Sequence, residues 1–344
     1  MSTEIYCYRK IENLLDTLDG VDLTADDTTL PISCHNLLLH AGMGGLRAHF
    51  KMFGATWSNL PMSFVNLNHI IGERRDSGLI LIASRPAMGK TTLALSLATD
   101  AAISRKLPAV IFSLEMAVAA LVKRLISYVG MVDLTKLCRD GFPDLNNFDR
   151  TLIASALMAI SNAPIYIDDT PGQHISSICS KCRKLKQENG LGLIIIDYVQ
   201  LITGTYGLGI SWGQEIRKIV QELKALAAEL NCPIVVLSQL SRAPENRSDH
   251  RPILSDLWFT GDKNIDIGFL PGLLSHSKHT MQESEGIEQD ADVVCFLYRD
   301  EHYHPDTDKK GITEVITAKY SGGNLGKIEL LFIKKYARFE SLSM

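Results

Sequence analysis

The stretch LILIASRPAMGKTTLALSLATDAAI, residues 79–103, does most to limit the folds open to this chain. An unbroken apolar run passes into a short turn holding Gly89 and Lys90, then into a segment with helical spacing. A strand without polar alternation has to be covered on both faces, which is the habit of parallel sheets flanked by helices. The same order recurs along the chain. AVIFSL (109–114) precedes AVAALVKRLISYV (117–129), and PIYIDD (164–169) precedes HISSICSKCRKLKQE (174–188). LGLIIID (191–197) precedes QEIRKIVQELKALAAEL (214–230), and PIVVLSQ (233–239) follows. This alternation predicts an α/β fold with a mostly parallel sheet and helices on both faces. DVVCFLY (292–298), TEVITAKY (313–320) and KIELLFI (327–333) predict extra C-terminal strands or a hairpin at the sheet edge.

Composition excludes several classes of protein. With 46% hydrophobic and 22% charged residues a large core is available, and general disorder is ruled out. A formal charge of −4 argues against coating nucleic acid by bulk charge, although a local basic path stays open. Apolar runs fall short of the ~18 residues that a spanning helix needs. The start, MSTEIYCYRKIENLL, lacks the basic-then-apolar order of a secretory signal. Seven scattered cysteines are an odd number and form no evident disulfide framework. These features describe a soluble, cytoplasmic protein with no membrane partner.

The turn after the first strand fits G-x-x-x-x-G-K-S/T, with Ser84 in the first glycine position and Gly89, Lys90 and Thr91 in place. In such a loop the backbone N–H groups and the helix N-terminus cradle phosphate oxygens. Lys90 would reach the β- and γ-phosphates, and Thr91 would offer its hydroxyl to Mg²⁺. The alternative is a Gly-Lys-Thr tripeptide opening an ordinary helix. A second motif tips the balance: LIIID is an apolar strand ending in Asp197, where a carboxylate can hold Mg²⁺. Together the two point to ATP or GTP. Glu115 follows AVIFSL and could orient a water for in-line attack. Gln239, at the end of PIVVLSQ, could sense the γ-phosphate or be a polar strand terminus; spacing alone leaves both open.

These strand ends, in this order, resemble the RecA-like motor of the DnaB-type replicative DNA helicases. The matching phrases are SRPAMGKTTLA, FSLEM, LIIIDYVQLI, ELKALAAELNCPIVVLSQLSR, RPILSDL and EGIEQDADVVCFLYRDEHY, spread over about Phe64 to Phe339. The family commonly carries a small residue other than glycine where Ser84 stands. The resemblance implies a RecA-like P-loop fold and an ATP-driven homo-hexameric ring moving 5′ to 3′ on single-stranded DNA in DNA replication. Its nucleotide loop is Ser84, Arg85, Pro86, Ala87, Met88, Gly89, Lys90, Thr91 and Thr92, with Arg124 near the nucleotide. It makes Glu115 the catalytic glutamate, Thr91 and Asp197 the Mg²⁺ residues, and Gln239 the γ-phosphate sensor. Lys319, in AKYSGGNLG, matches a lysine that helps complete a neighbouring subunit's site.

The chain also departs from the family pattern. Ser321 stands where the family has its finger arginine. Residues 258–281 extend the chain after Leu257, and the DNA loop resumes as Gln282, Glu283, Ser284 and Glu285, with Gln for an arginine and Glu for a glycine. That exchange weakens contact with the DNA backbone. Residues 1–60 read as an arm or linker with one short helix (Ile5 to Leu18), not as the family's helical collar, and 61–344 as the motor domain. The competing reading is a degenerate paralogue that binds ATP or other ring subunits without unwinding. Cys179 and Cys182 have metal-like spacing but sit on a predicted helix with no second pair, so they read as structural. HSKH (276–279) and HYH (302–304) read as surface histidines, and RKLKQE (183–188) as a solvated helix face.

Overall fold

The computed structural model describes residues 9–10, 78–139, 143–204, 210, 212–257, 287–321 and 325–342. The segment 258–281, the loop Gln282–Glu285, HSKH and all of the 1–60 arm except Arg9 and Lys10 lie outside the described residues.

The strands are β1 (Arg9–Lys10), β2 (Leu79–Ser84), β3 (Ala109–Ser113), β4 (Ile165–Asp168) and β5 (Leu193–Asp197). They continue with β6 (Ile234–Gln239), β7 (Val293–Tyr298), β8 (Ile312–Tyr320), β9 (Gly326–Ile333) and β10 (Arg338–Ser341). All join one sheet in the order β1-β4-β3-β5-β6-β2-β7-β8-β9-β10. From β4 to β7 every pairing is parallel, and from β7 to β10 every pairing is antiparallel. The helices are α1 (Lys90–Thr99), α2 (Val118–Gly130), α3 (Leu134–Cys138), α4 (Asn147–Ser161), α5 (Ile175–Asn189), α6 (Trp212–Leu230), α7 (Ile287–Asp290) and α8 (Asp300–Tyr303).

Strand geometry sends successive side chains to opposite faces, and the core splits accordingly. Ile80, Ile82, Ile111, Ile195, Val235 and Leu237 pack with residues of α1, α2 and α4. Leu79, Leu81, Val110, Ile194, Ile196 and Val236 pack with residues of α5 and α6 on the other side. Both faces are covered, which is why these strands read as unbroken apolar runs. Cys179, Cys182 and Cys232 are free thiols within the second core. Burial pushes Cys179 up to about 11 and Cys232 up to about 12, so none of this group offers a thiolate at neutral pH. Arg183, Lys184, Gln187 and Glu188 are solvent-exposed, with Arg183 paired to Glu229, and His302 and His304 lie on the surface.

Three features depart from the sequence expectations. β7 is not an edge addition but pairs in parallel with β2, with Ile80 opposite Val293. α4 was not anticipated, although Asn146 and Asp149 form a reciprocal capping box at its start. Arg9 and Lys10 are extended, pairing antiparallel with Ile167 and Tyr166, so the helix expected over Ile5–Leu18 does not run through them. The free backbone groups of β4, the outermost parallel strand, offer partners that compete with a local helix.

The antiparallel extension is fastened by one buried carboxylate. Glu314 on β8 is 2% exposed and accepts hydrogen bonds from Arg251, Lys309 and Lys327. Burial alone would raise its pKa, but hydrogen bonds from Arg251 and Lys309 and the Arg251 charge reverse this, holding it down to about 2 against an ordinary 4.5. Because the folded pKa is depressed, the stabilisation is present above the unfolded pKa and is lost as pH falls towards the folded one. We expect Glu314→Gln to cost on the order of 3 kcal/mol at neutral pH, the upper figure set by that shift. Denaturant unfolding should show the difference from wild type shrinking between pH 4.5 and about 2; a gap independent of pH would contradict the assignment.

Candidate active site

The carboxyl ends of four strands adjacent in the sheet, β3, β5, β6 and β2, bring the expected residues to one edge. β5 ends in Asp197 and β6 in Gln239, with Gln239 in register with Ser84 at the end of β2. Glu115 follows β3 on the turn before α2. Ligands of open α/β sheets bind along this edge, where the helix N-termini also point.

Gly89 makes the phosphate loop turn. Its φ of 96° lies in the left-handed region, and a Cβ there would meet Phe339 Cζ at 2.8 Å. Only glycine satisfies both the dihedral and the close approach of Phe339. Ala87 also has a positive φ of 65°. Met88 is buried beneath the loop, while Pro86 and Ala87 are exposed. The Arg85 side chain is tied down: its Nε donates to Glu245 Oε1 at 2.8 Å and its Nη1 to Leu240 O at 2.9 Å. It anchors the loop to the segment after β6. Ser84 Oγ is buried and has no hydrogen-bond partner among the described residues.

Lys90 and Thr91 open α1 facing β5. Thr91 Oγ1 donates to Asp197 Oδ2 at 2.7 Å. Asp197 is buried, and its Oδ1 has no partner among the described residues. Burial raises the Asp197 pKa, against the charge of Lys90, the Thr91 hydrogen bond and the charge of Arg124. Lys90 sits 4.9 Å above the Tyr198 ring. Desolvation lowers its pKa, while Asp197 and Glu115 pull it back up. Both charges are short of solvent, and neither is fully compensated by the other.

Desolvation and repulsion from Asp197 raise the Glu115 pKa, with Lys90 and Arg124 opposing. Arg124 is half-buried on α2, so both carboxylates feel its charge. Gln239, the last residue of β6, is held through its backbone, since Gln200 Nε2 donates to Gln239 O at 3.1 Å. Thr92 is buried in the first turn of α1.

Lys319 is not brought to this cluster. Its Nζ donates to the carbonyls of Glu288, Gln289 and Ala291 at 2.7, 2.7 and 2.8 Å, capping the C-terminal end of α7. Ser321 Oγ donates to Asp292 O at 3.0 Å. Sequence reasoning missed Arg299, Phe332 and Phe339. Arg299 Nη1 donates to Ala87 O at 3.2 Å, and its guanidinium lies 4.4 Å from the Phe332 ring centroid. Phe332 and Phe339 pack with centroids 4.8 Å apart. Arg299 falls within the phrase CFLYRDEHY, but nothing in the spacing ties it to residue 87.

The site's chemistry suits a Mg²⁺–nucleotide pair. Among the described residues no three His, Cys, Asp or Glu side chains form a cage able to hold a metal alone. Mg²⁺ bound with phosphates needs only one or two protein oxygens and keeps its waters. The bare Oδ1 of Asp197 beside Thr91 Oγ1 meets that requirement.

A family model described as the DnaB-like helicase C terminal domain matches residues 59–341. The replicative DNA helicase DnaB of Geobacillus stearothermophilus is 41% identical over 285 residues, covering 83% of this chain and 57% of that protein. The replicative DNA helicase DnaC of Bacillus subtilis (strain 168) is 40% identical over the same shares. The chain thus spans little more than half the length of these relatives. Among solved structures, a chain described as an ATPase domain aligns with a TM-score of 0.71 at 33% identity, covering 87% of this chain and 98% of that one. A DnaB-like replicative helicase, solved in a study of its interactions with primase, gives the same TM-score and identity, covering 89% of this chain and 69% of that one.

The geometry can be tested at the loop and at the carboxylate. Gly89→Ala should weaken ATP binding by roughly tenfold or more, since about 1–2 kcal/mol of left-handed strain is added to the Phe339 clash; unchanged affinity by titration would refute the loop geometry. If Glu115 is the base of an ATP hydrolysis at this edge, the rate should fall on acidification with a midpoint above the ordinary glutamate value of 4.5. Arg124→Gln should move that midpoint higher, since Arg124 lowers the Glu115 pKa. A midpoint that stays or falls would separate the two residues.

Proposed function

Because the chain belongs to the DnaB-like helicase C-terminal domain family, we propose that it is the motor of a replicative DNA helicase. On this reading it hydrolyses ATP in a homo-hexameric ring and moves 5′ to 3′ along single-stranded DNA in the cytoplasm. Residues 61–344 are the motor, 1–60 an arm or linker, and 258–281 an insertion ahead of a DNA loop at Gln282–Glu285. The observation that carries the reading is the buried Asp197 carboxylate, hydrogen-bonded to Thr91 with one oxygen free, at the mouth of the Gly89–Lys90 loop.

Each residue then has a task. Lys90 draws the β- and γ-phosphates and neutralises charge that develops on them. Thr91 and Asp197 would hold Mg²⁺, which would supply Lewis-acid stabilisation of the charge that develops in phosphoryl transfer. Glu115 orients the attacking water and accepts its proton, for which a raised pKa suits it. Gln239, with its backbone fixed by Gln200, offers an amide to the γ-phosphate. Lys319 and the edge it occupies face a neighbouring subunit's nucleotide. Arg299 and Phe332 offer a stacking surface beside the loop for the base.

Ser321 favours a second reading, a ring member that binds ATP without unwinding. It has no cation to offer, and its hydroxyl turns back to Asp292 of its own chain. An arginine finger contributes roughly 10³-fold or more to phosphoryl transfer.

Steady-state hydrolysis and nucleotide binding test both readings. Lys90→Ala should abolish turnover, and Glu115→Gln should keep ATP bound while lowering turnover by about 10²-fold or more; normal turnover in either variant would refute its assignment. If the ring interface forms as proposed, Ser321→Arg should raise turnover by at least an order of magnitude. No change would remove the interface role from this position.

A further inference from the structure

We propose that Asp169, at the exit of β4, is a positioning residue for Glu115 and Arg124. The inference rests on the ATPase reading above. α2 begins at Val118 behind Ala117, which has no side chain able to cap it. The missing acceptor comes from a residue 51 positions away: Val118 N–H donates to Asp169 Oδ2 at 2.9 Å. A carboxylate there satisfies an otherwise orphan N–H and meets the positive end of the helix. Glu115 lies on the turn leading into this helix, and Arg124 lies on the helix itself, about 9 Å along it at ~1.5 Å per residue. One contact therefore fixes the start of the element that presents both charges to Asp197.

The other ends of this arrangement are also tied. Leu114 N–H donates to Asp197 O at 2.8 Å, joining the Glu115 turn directly to the strand bearing the second carboxylate. Ser113 Oγ donates to Met116 O at 2.7 Å and closes the turn. On the β4 side, Asp169 projects from a braced segment. Asp168 is fully buried and accepts Lys181 Nζ at 2.6 Å through one oxygen and Thr170 N–H at 3.0 Å through the other. Lys181 also donates to Gln173 Oε1 at 2.9 Å, and Gln173 O accepts Thr203 N–H at 3.0 Å. Thr203 lies just beyond the short helical turn that follows Asp197. The buried Lys181 pair holds the β4 exit rigid, and exposed Asp169 transmits that position to α2.

Replacing Asp169 by Ala in the full chain should let the start of α2 drift. Turnover should fall roughly tenfold, because small misplacements of a catalytic group are costly. The KM for ATP should change by less than about twofold, since the phosphate loop is untouched. Asp169→Asn should restore most of the rate, because an amide oxygen still accepts from Val118 N–H. The acid midpoint of the rate should shift in the Ala variant and return in the Asn variant, which loss of stability alone would not produce.

The proposal is overturned if Asp169→Ala turns over like wild type, if KM rises with kcat unchanged, or if Asn is as impaired as Ala. Lys90→Ala, run alongside, separates the two levels of inference. Turnover lost in Lys90→Ala but intact in Asp169→Ala defeats the positioning role alone. Wild-type turnover no higher than Lys90→Ala defeats the ATPase reading and this role with it.

Discussion

Lys90 and Asp197 are two opposite charges, both starved of water, at one edge of a sheet. Burial lowers the lysine's pKa and raises the aspartate's, and the charge of each opposes the shift of the other. Attraction does not fully repay desolvation for either group. Such a pair is a poor stabiliser but a good receptor, since phosphates relieve the lysine and a divalent cation relieves the carboxylate. Much of the surrounding structure keeps these two groups in place. The parallel register of β2 and β6 puts Ser84 beside Gln239, and Phe339 packs so closely on Gly89 that no side chain fits there.

The sheet's two halves divide the work. The parallel half carries the phosphate loop, both carboxylates and Gln239. The antiparallel half, β8 to β10, supports that edge from the side. Its Phe332 and Phe339 back the loop, and its Glu314 binds Arg251 from the segment after β6. That segment also gives Glu245 to Arg85, and Arg247 grips the buried Asp256. The loop, the exit of β6 and the antiparallel extension are thus joined through charged contacts, so a shift in one is felt in the others. Lys319 and Ser321 belong to this extension and contact α7 and Asp292 of their own chain.

How much of this could be read from the sequence depends on range. Lys90, Thr91, Glu115, Asp197 and Gln239 could be found because each stands at the end of an apolar run whose direction the pattern reveals. The structure gathers these five residues at one edge. The contact that fixes the Arg85 side chain comes from Glu245, 160 residues away, and no local pattern marks it. Asp169 and Arg299 act across 51 and 212 residues, with no local pattern to mark them. β7 was misplaced for a related reason: an apolar run shows that a strand is buried but not which strand it joins. α4 did carry a local signal, the Asn146–Asp149 box, and could have been read.

If Asp197 and Lys90 are balanced to receive a Mg²⁺–nucleotide pair, the direct measurement is ATP affinity with and without Mg²⁺, for wild type and Asp197→Asn. Mg²⁺ should tighten ATP binding in wild type, and this gain should disappear in the variant. Metal-free affinity should hold or rise there, because a repelling carboxylate has been removed. An equal Mg²⁺ gain in both proteins would mean that the buried carboxylate does not hold the ion, and the assignment of this edge would fall.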